Sequence, residues 1–305
     1  MNKNILVTGG LGFIGSHLVD RLIDEKYFVV VIDNLSTGLE SNKNKKAKYI
    51  KEDITDYINS PKRIDNIIQD NKIDIVYHLA ASADITLSLK NPEKVFTINT
   101  TASIAIINSC IRNNVKNFLF TSTSAVYGEP TYLPVDEKHK TNPISPYGLS
   151  KLFTEQYLQY ISQHNTISSV IFRLPNVYGP RQRPDLEGGV IAIFDNLMKS
   201  NEIVNIFGDG EQSRDWVHVY DIVNAFIESI SIKNQIELLL LGSSKKNTIN
   251  ELFGYLAIIN QYRLKPVYIE KRSGDIENMV MDNDYAKKLI SWKAKITLEE
   301  GLNTL

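Results

Sequence analysis

Residues 8–15 read TGGLGFIG, and this stretch lies between an apolar run and an amphipathic one. The preceding residues 4–7 (NILV) predict a short buried strand. The following residues 17–23 (HLVDRLI) repeat apolar side chains at helical intervals, which predicts an amphipathic helix. The glycine-rich stretch is therefore expected to form a strand-to-helix turn.

Three glycines of this turn, Gly9, Gly12 and Gly15, suit it to a dinucleotide. Because they lack a Cβ, they allow a tight turn, close approach of a ligand and packing of the helix on the strand. The first N–H groups of the helix, including those of Phe13 and Ile14, are expected to face a pyrophosphate. A glycine-rich turn without a ligand is the alternative that the spacing alone leaves open.

Asp33 follows a second predicted strand over residues 27–32 (YFVVVI). It stands where a βαβ dinucleotide-binding unit carries the acid that accepts both ribose hydroxyls. A carboxylate there repels a 2′-phosphate, which favours NAD over NADP. The alternative is that Asp33 only caps the following loop. The other loop residues predicted to contact the cofactor are Asn34, Ser36, Thr37 and Gly38.

The composition of the 305 residues is that of an ordinary enzyme, with 43% hydrophobic and 23% charged residues and a formal net charge of −1. Neither nucleic acid nor a membrane surface is indicated as a partner. No apolar run approaches the ~18 residues that span a bilayer, and no secretory signal is expected because the chain enters its first strand at once. The single cysteine, Cys110, is interpreted as a core residue in a cytoplasmic protein.

A third short strand, residues 48–50, leads to Asp53 and Ile54, which are predicted to lie beside the cofactor. Asp53 is either a partner of the adenine amino group or the N-cap of the next helix. A helical pattern follows over residues 64–71.

The next predicted strand, residues 73–78 (IDIVYH), ends at His78. The residues after it are expected to let the backbone approach the dinucleotide because two of them are small. His78 has no partners at metal-ligand spacing, so it is interpreted as a structural histidine and no metal site is predicted. The cofactor contacts predicted here are Leu79, Ala80 and Ala81.

A long helical pattern covers residues 91–113 and contains Asn99. Asn99 is predicted to hold backbone in the wall of the site, although an exposed position is equally compatible with the pattern. Residues 117–121 (NFLFT) predict another strand, which continues into the hydroxyl-rich segment 122–127. Since the carboxyl ends of parallel strands line the ligand crevice, these hydroxyls lie where chemistry is expected.

Tyr147 and Lys151 open a predicted helix that continues through Tyr160. They are four residues apart and therefore project from one helix face. A tyrosine with a pKa near 10 is a poor base at neutral pH, but a nearby ammonium and the positive nicotinamide ring favour the phenolate. The pair is therefore predicted to contact the cofactor and to perform general acid–base catalysis. An amphipathic helix face is the bland alternative.

The chain resembles the UDP-glucose 4-epimerase group of the extended short-chain dehydrogenase/reductases along nearly its full length. The resemblance rests on the order and spacing of TGGLGFIG, DNLSTG, HLAA, TSTSAVYG, YGLSK, RLPNVYGPRQRP, FGDGEQSRDWVHV and KRSGDI. It implies a catalytic Ser or Thr together with the Tyr and Lys. Counting back four residues from Tyr127 selects Thr123, which is expected to bind the substrate hydroxyl.

The resemblance also implies a nucleotide-sugar site in the second half of the chain. Asn176 is expected to hold the sugar diphosphate, and two arginines, Arg214 and Arg272, are expected to contact diphosphate or ribose because guanidinium groups pair well with phosphate oxygens. Surface salt bridges are the alternative for both arginines. The remaining predicted substrate contacts are Gly189, Val190, Phe194, Phe207, Asp275 and Met279.

The resemblance predicts an α/β enzyme that epimerises C4 of a UDP-hexose through a transient 4-keto sugar, with NAD as the cofactor. The rivals are a UDP-glucuronate decarboxylase and a nucleotide-sugar 4,6-dehydratase. Dehydratases of this family resemble Thr-Asp-Glu at the catalytic loop, whereas Ser124 and Ala125 follow Thr123 here. A non-catalytic NAD-binding module is the rival from another class, and the presence of Tyr147 and Lys151 disfavours it.

Met279 occupies the position that gates the pocket for the sugar 2-substituent in the resembled group. A flexible methionine predicts some activity on UDP-N-acetylglucosamine. The resemblance also implies a homodimer, and the apolar segments 91–113 and 150–164 are candidates for its interface.

The predicted architecture is a doubly wound parallel Rossmann sheet with a smaller C-terminal α/β substrate lobe. The NAD-binding domain is expected to comprise residues 1–174 and a returning segment near 213–241, with a strand at 238–241 (LLLL). Residues 175–212 and 242–305 form the predicted UDP-sugar lobe, which ends in a helix over 296–302 (ITLEEGL).

Overall fold

The computed structural model describes residues 3–186, 189–271 and 276–305, and its largest element is a parallel sheet of seven strands. Six shorter strands of the described residues form three two-stranded sheets beside it. In chain order all these strands are β1 (Asn4–Thr8), β2 (Phe28–Asp33), β3 (Lys48–Lys51), β4 (Ile75–His78), β5 (Asn117–Thr123), β6 (Ser168–Leu174), β7 (Asn176–Tyr178), β8 (Asn205–Phe207), β9 (Ser213–Arg214), β10 (Trp216–His218), β11 (Ile236–Leu240), β12 (Asn247–Thr248) and β13 (Val267–Ile269).

The order of the large sheet is β11-β6-β5-β4-β1-β2-β3, and all neighbouring strands are parallel. The chain starts in β1, proceeds outward to β2 and β3, and then returns to β4 on the other side of β1. This reversal makes the gap between the carboxyl ends of β1 and β4 the point where a doubly wound sheet binds its ligand. The predicted fold class is confirmed.

Helices cover both faces of the sheet. In chain order they are α1 (Phe13–Asp24), α2 (Asp56–Asn59), α3 (Pro61–Asp70), α4 (Ile85–Lys90), α5 (Pro92–Phe96), α6 (Ala102–Arg112), α7 (Pro146–His164), α8 (Val190–Lys199), α9 (Val219–Glu228), α10 (Ile249–Ile259), α11 (Asp284–Ile290) and α12 (Leu298–Leu302).

Each face of the sheet has its own apolar core. On one face, Leu22 of α1 and Phe226 of α9 pack with β1, β2 and β6 side chains. On the other face, Ile106 of α6 and Leu158 of α7 pack with the alternate side chains of the same strands. The helical periodicity read from the sequence therefore corresponds to the buried faces of these helices.

The long helical pattern at residues 91–113 is confirmed, with one addition. The chain is helical from Pro92 to Arg112, but residues Thr97–Thr101 form a π-helical turn between α5 and α6. Asn91 begins this stretch, because its side chain accepts a hydrogen bond from the Lys94 amide at 3.1 Å. The wide turn contains Asn99, which is buried.

The returning strand β11 completes the sheet at its far edge. It pairs with β6 from Ile236 opposite Ser169 to Leu240 opposite Arg173. The helix α9 returns with it and packs against α1. The strand predicted at residues 238–241 is thus present, as Ile236–Leu240.

A separate, smaller core holds the C-terminal lobe together. It contains Phe194 and Met198 of α8, Leu252 and Leu256 of α10, and Leu302 of α12. Two of these helices start with reciprocal side-chain and backbone hydrogen bonds, between Thr248 and Glu251 in α10 and between Thr297 and Glu300 in α12. The domain boundaries given above stay a prediction.

None of the helices in the described ranges is both long and apolar enough to span a bilayer.

Candidate active site

The turn between β1 and α1 has little room for side chains. Gly9 has a φ of +72°, and its amide donates to the Ile32 carbonyl at 2.8 Å. A Cβ on Gly15 would lie 2.2 Å from the Gly9 carbonyl oxygen, and one on Gly9 would lie 2.8 Å from the Ala80 nitrogen. These approaches require glycine.

The start of α1 presents backbone N–H groups towards the carboxyl edge of the sheet. Gly12 is the N-cap without a side-chain capping bond, and the first amide bonded within the helix is that of Ser16, which donates to the Gly12 carbonyl at 3.0 Å. The amides of Phe13, Ile14 and Gly15 precede it and have no acceptor within the helix. Such a terminus fits the pyrophosphate of a dinucleotide.

Asp33 lies half-buried at the end of β2 and connects the glycine turn to the next loop. Its Oδ2 accepts from the Leu11 amide at 2.9 Å, and its Oδ1 accepts from the Leu35 amide at 2.8 Å. The capping interpretation is therefore correct as far as it goes. It does not exclude the ribose interpretation, because each carboxylate oxygen has a second acceptor site. In the same loop Asn34, Ser36 and Thr37 are exposed and Gly38 is buried.

Asp53 lies beside this loop. Its Oδ2 accepts from the Asn34 side-chain amide at 2.7 Å, and its Oδ1 accepts from the Thr55 amide at 2.8 Å and the Thr55 hydroxyl at 2.6 Å. Although Thr55 precedes α2 directly, the Asp53 side chain and carbonyl cap the turn that leads into it, so the capping interpretation is supported in this form. Ile54 is buried in the core below.

The end of β4 passes close to the glycine turn. The Leu79 amide donates to the Thr8 carbonyl at 3.1 Å, and the Ala80 amide donates to the Thr8 hydroxyl at 3.2 Å. Both residues and Ala81 are half-buried. This segment therefore lies against the glycine turn, and its contact with the dinucleotide stays a prediction.

His78 is a structural histidine, as predicted. It is fully buried, with its Nδ1 2.7 Å from the Thr8 hydroxyl and its Nε2 2.8 Å from the Ser103 hydroxyl. Burial, assisted by the charge of Lys151, lowers the pKa of His78 to about 3. In the described part of the chain, no three His, Cys, Asp or Glu side chains are placed to hold a metal ion.

Asn99 is buried and holds two elements together. Its Oδ1 accepts from the Ser82 amide at 2.8 Å, and its Nδ2 donates to the Ser82 carbonyl at 2.9 Å and to the Ser150 hydroxyl at 3.0 Å. The side chain thus fixes the segment after β4 against α7. This agrees with the wall-supporting role and excludes the exposed alternative.

Tyr147 and Thr123 meet where α7 begins. Ser145 caps α7 by accepting from the Gly148 amide at 3.1 Å, and Pro146 occupies the first turn. The Thr123 hydroxyl at the end of β5 accepts from the Ala125 amide at 3.1 Å and is near enough to the Tyr147 phenol to favour a lower pKa of that group. Its neighbour Ser122 instead donates to the Glu155 carboxylate in the interior. The geometry therefore favours Thr123 over Ser122 as the hydroxyl of the site.

Lys151 lies one turn after Tyr147 and is only 3% exposed. Its Nζ donates to the Thr121 carbonyl at 2.8 Å and lies 4.8 Å from the centre of the Phe120 ring. Burial lowers the pKa of Lys151 to about 7, while the Glu155 carboxylate acts in the opposite direction.

A lowering of the Tyr147 pKa by Lys151 was expected from the sequence, but the pKa of Tyr147 is raised instead. Burial raises the pKa of the Tyr147 phenol, and the Thr123 side chain opposes this rise. The physical reason is desolvation, which disfavours the phenolate. The Lys151 ammonium donates to a backbone carbonyl, and Tyr147 and Lys151 both lie against the carboxyl end of β5.

A buried ion pair behind Lys151 was missed from the sequence. Glu155 and Arg173 are 0% and 5% exposed and share two hydrogen bonds, at 2.6 and 3.1 Å. Arg173 also donates to the Tyr127 hydroxyl at 2.9 Å. The available signal was the spacing of Glu155, which lies four residues after Lys151 on the same helix face.

A segment of the second lobe also reaches the predicted cofactor loop, which the sequence did not indicate. The Pro180 carbonyl lies 2.8 Å from His17 Nε2, and Arg181 pairs with Asp20 at 2.7 Å. Arg183 donates to the Thr37 carbonyl at 3.0 Å. Residues 180–183 therefore run along the edge of the glycine turn.

The predicted substrate residues lie on the second lobe. Asn176 is half-buried and its amide donates to the Asp215 carbonyl at 3.1 Å, while Gly189 precedes α8 as its N-cap and Val190 begins that helix. Phe194 is 4% exposed within the core of the lobe, which leaves little of its ring for a ligand.

The other predicted substrate contacts lie on adjoining strands. Phe207 ends β8, and Arg214 in β9 donates to the Ser213 carbonyl at 2.9 Å. The Met279 amide donates to the same carbonyl at 3.2 Å, and its side chain is buried against Val126 and Tyr127. Met279 therefore lies next to the segment that follows the catalytic strand. The predicted residues Arg272 and Asp275 lie outside the described residues.

Comparison with known proteins agrees with this geometry. Residues 5–237 match the NAD dependent epimerase/dehydratase family. A curated relative, a putative UDP-glucose 4-epimerase of Methanocaldococcus jannaschii, is 41% identical over 98% of this chain and 95% of its own length.

Two solved structures extend the comparison. The UDP-glucose 4-epimerase of Thermotoga maritima with UDP-glucose superposes with a TM-score of 0.95 at 39% identity, covering 99% of this chain and 96% of the other. The UDP-N-acetylglucosamine 4-epimerase of Methanobrevibacter ruminantium, in complex with UDP-N-acetylmuramic acid, has a TM-score of 0.93 at 36% identity and the same coverage.

Proposed function

We infer that this chain, which belongs to the NAD dependent epimerase/dehydratase family, catalyses the C4 epimerisation of a UDP-hexose. Full-length similarity to UDP-hexose 4-epimerases supports this function. The observation that carries it is the placement of Tyr147 and Lys151 on one face of α7, with the Lys151 ammonium bonded to the Thr121 carbonyl and Thr123 ending the same strand, at the carboxyl ends of the strands that also hold the glycine turn.

We propose the following roles for these residues. Bound NAD supplies the acceptor and donor of hydride at C4 of the sugar. Tyr147 takes the proton of the 4-hydroxyl and returns it, while Thr123 orients that hydroxyl through its own hydrogen bond. Lys151, whose ammonium is held at the Thr121 carbonyl one turn after Tyr147, is proposed to contact the cofactor. The 4-keto sugar turns in the site between the two hydride transfers, so no NAD is consumed.

The amides of Phe13, Ile14 and Gly15 are proposed to hold the pyrophosphate of NAD, and Asp33 its ribose. Support comes from the helix terminus without a capping side chain and from the spare acceptor sites of the carboxylate. Asp53 remains a proposed adenine contact.

The segment after Thr123 gives no support to dehydration. Elimination of water needs an acid and a base at the catalytic loop. The residues that follow Thr123 are Ser124 and Ala125, in a short 3-10 turn, and neither carries a carboxylate. The choice of epimerisation over decarboxylation rests on the relatives, which are named as epimerases.

The experiment is an assay of purified protein with UDP-glucose and no added reductant. We expect UDP-galactose to form without a change of mass, and Tyr147→Phe to lower turnover at least ~100-fold because general acid–base catalysis is lost. Tyr157→Phe is the matched control, since Tyr157 lies on the same helix and donates to Asn108 at 2.6 Å. A wild type that holds NAD but leaves UDP-hexoses unchanged would overturn the function.

We also propose that the site accepts an N-acetyl group on the sugar. Met279 is buried against Val126 and Tyr127 beside the catalytic segment, and an unbranched thioether can change its rotamer to make space. The solved UDP-N-acetylglucosamine 4-epimerase supports this extension. Turnover of UDP-N-acetylglucosamine in the same assay tests it, and no turnover alongside active UDP-glucose conversion would refute it.

A homodimer is proposed for the assembly. Apolar side chains on α4 and α7 are exposed, including Leu89 at 61%, Phe153 at 46% and Tyr160 at 60%. The Phe153 ring lies 5.8 Å from that of Phe96 on the adjoining helix α5. Exposed large apolar side chains on neighbouring helices are typical of an interface between subunits.

A cytoplasmic location is proposed as well. The support is the single cysteine, Cys110, which is buried in the core with a free thiol. Proteins of oxidising compartments tend instead to use paired cysteines.

A further inference from the structure

Three successive residues of β5 contact three residues of α7 that are spaced by four. The Thr121 carbonyl accepts from Lys151 and the Ser122 hydroxyl donates to Glu155, while Thr123 is the neighbour that affects the Tyr147 phenol. Positions 147, 151 and 155 lie on one face of the helix. Glu155 is thus the third member of a row that begins with the proposed catalytic residues.

The carboxylate of Glu155 is fully buried and held from two sides. Arg173 on β6 donates to both of its oxygens, at 3.1 Å from Nε and 2.6 Å from Nη2. Ser122 on β5 donates to Oε1. Arg173 is itself fixed by the Tyr127 hydroxyl at 2.9 Å. The position of Glu155 is therefore determined by two strands and by the segment that follows β5.

Stability alone is a weak reason for such a pair. Removal of two charges from water is costly, and apolar residues of similar volume often replace a buried ion pair without loss of stability. A function for the pair is a better explanation, and Lys151 lies one turn away. The titratable groups around Lys151 are Glu155 and Tyr147 on its own helix, His78 on β4, Arg173 on β6 and Tyr127 after β5.

We propose that Glu155 is a positioning residue for the epimerisation. Held by Arg173 and Ser122, its carboxylate fixes α7 in register on β5 and places a negative charge one helical turn from Lys151. This inference rests on the roles proposed above for Tyr147 and Lys151. It adds to them a carboxylate that touches neither sugar nor cofactor and acts through Lys151.

The test is Glu155→Gln, Arg173→Met and the double variant, each assayed as kcat and KM against pH with NAD bound. Loss of the carboxylate charge favours neutral Lys151, so we expect the alkaline limb of kcat in Glu155→Gln to move to lower pH by at least ~0.5 unit. We expect kcat at neutral pH to fall about 10-fold with little change in the KM for the UDP sugar.

The double variant separates positioning from folding. It leaves no buried charge without a partner, so it is expected to fold even where Arg173→Met does not. If the ion pair is merely structural, the double variant regains the wild-type kcat and pH profile, and the inference is overturned. If Glu155 acts through Lys151, the displaced alkaline limb persists in the double variant.

Asp65→Asn is the matched control. Asp65 also accepts from a serine, Ser109, and pairs with an arginine, Arg112 at 2.9 Å, but it lies between α3 and α6. This variant should lose stability without any displacement of the pH profile. A wild type inactive on UDP-hexoses would overturn the proposed function, whereas an active wild type with an unshifted Glu155→Gln profile would overturn only the role of Glu155.

Discussion

Lys151 combines two properties that are rarely found in one lysine. It is almost completely buried, and its Nζ has a backbone acceptor, the Thr121 carbonyl. The hydrogen bond stabilises the ammonium, whereas burial destabilises it. Because burial has the larger effect, the pKa of Lys151 falls to about 7. The protonation state of Lys151 is therefore balanced near neutral pH, where small changes around it alter the charge behind Tyr147.

This balance predicts how stability depends on pH. An unfolded lysine has a pKa of about 10.4, so between about pH 7 and that value the unfolded chain binds more protons than the folded one. The free energy of unfolding should therefore rise with pH in this window, by up to ~1.4 kcal/mol per pH unit from this group. Lys151→Met should lack this contribution in urea denaturation measured across the window.

Lys199→Met is the control for this measurement. Lys199 is half-exposed on α8, where it pairs with Asp195 at 2.8 Å. The control should follow the wild-type dependence on pH. Parallel curves for the wild type and Lys151→Met would contradict the assignment of a lowered pKa to Lys151.

At the residue scale, the sequence predicts side chains whose relation is set by the helix itself. Tyr147 and Lys151 are found from their spacing because four residues bring two side chains to one face. Arg173 is not found this way, since its partner Glu155 lies on another element and a single arginine in a strand gives no sign of burial. The Tyr147 pKa is missed for a similar reason, as it depends on desolvation by the whole surrounding structure.

At the scale of elements, the turn between β1 and α1 is the most constrained part of the site. The distance of 2.2 Å from a Cβ on Gly15 to the Gly9 carbonyl oxygen cannot be relieved by a rotamer, because the atom it meets is backbone. Any side chain at this position must displace the start of α1. The amides of Phe13 and Ile14 would move with it.

We predict that Gly15→Ala weakens NAD binding at least ~10-fold and lowers the free energy of unfolding by ~1–3 kcal/mol, as overpacking does. Titration of the protein with NAD and chemical denaturation measure the two effects. Gly254→Ala in α10 is the matched control, because no atom lies within 4 Å of its added Cβ. The control should gain ~0.5–1 kcal/mol and bind NAD normally. Equal behaviour of the two variants would disprove the steric argument.

The boundaries of elements were predicted less well than their existence. The amphipathic pattern after the glycines begins at residue 17, whereas α1 starts at Phe13. The first turn of α1 belongs to the glycine turn, so its residues do not follow the apolar periodicity of the rest of the helix. The π-helical turn Thr97–Thr101 was not foreseen either. One widened turn hardly changes the periodicity of a long helix. Asn99 is held in that turn by hydrogen bonds with Ser82 and Ser150, which lie on other elements and leave no local signal in the sequence.

At the scale of the whole molecule, two exposed apolar surfaces differ in kind. On α4 and α7, which pack together, Leu89, Phe153 and Tyr160 are exposed. On the second lobe, Ile258 of α10 is 79% exposed. Phe153 and Tyr160 lie in the segment 150–164, for which the sequence predicts a subunit interface, whereas Leu89 and Ile258 lie outside the predicted segments.

We predict that Phe153→Glu converts a dimer into a monomer in analytical ultracentrifugation. The substituted side chain would place a charge in an apolar interface, where its desolvation is costly, while the separate subunit remains folded because Phe153 is 46% exposed. Ile258→Glu is the control and should leave the dimer intact. A monomeric wild type, or dissociation by both variants, would contradict the proposed interface.

The sheet is completed by a strand that is synthesised late. Residues 175–235 separate β6 from β11, so on the ribosome β6 emerges well before its outer partner. All seven residues of β6 are buried in the finished protein, and until Leu240 emerges one edge of β6 offers unpaired backbone to any neighbouring chain. The nucleotide-binding part therefore cannot mature as an independent N-terminal unit during translation, and a nascent chain stalled between these strands is exposed to aggregation.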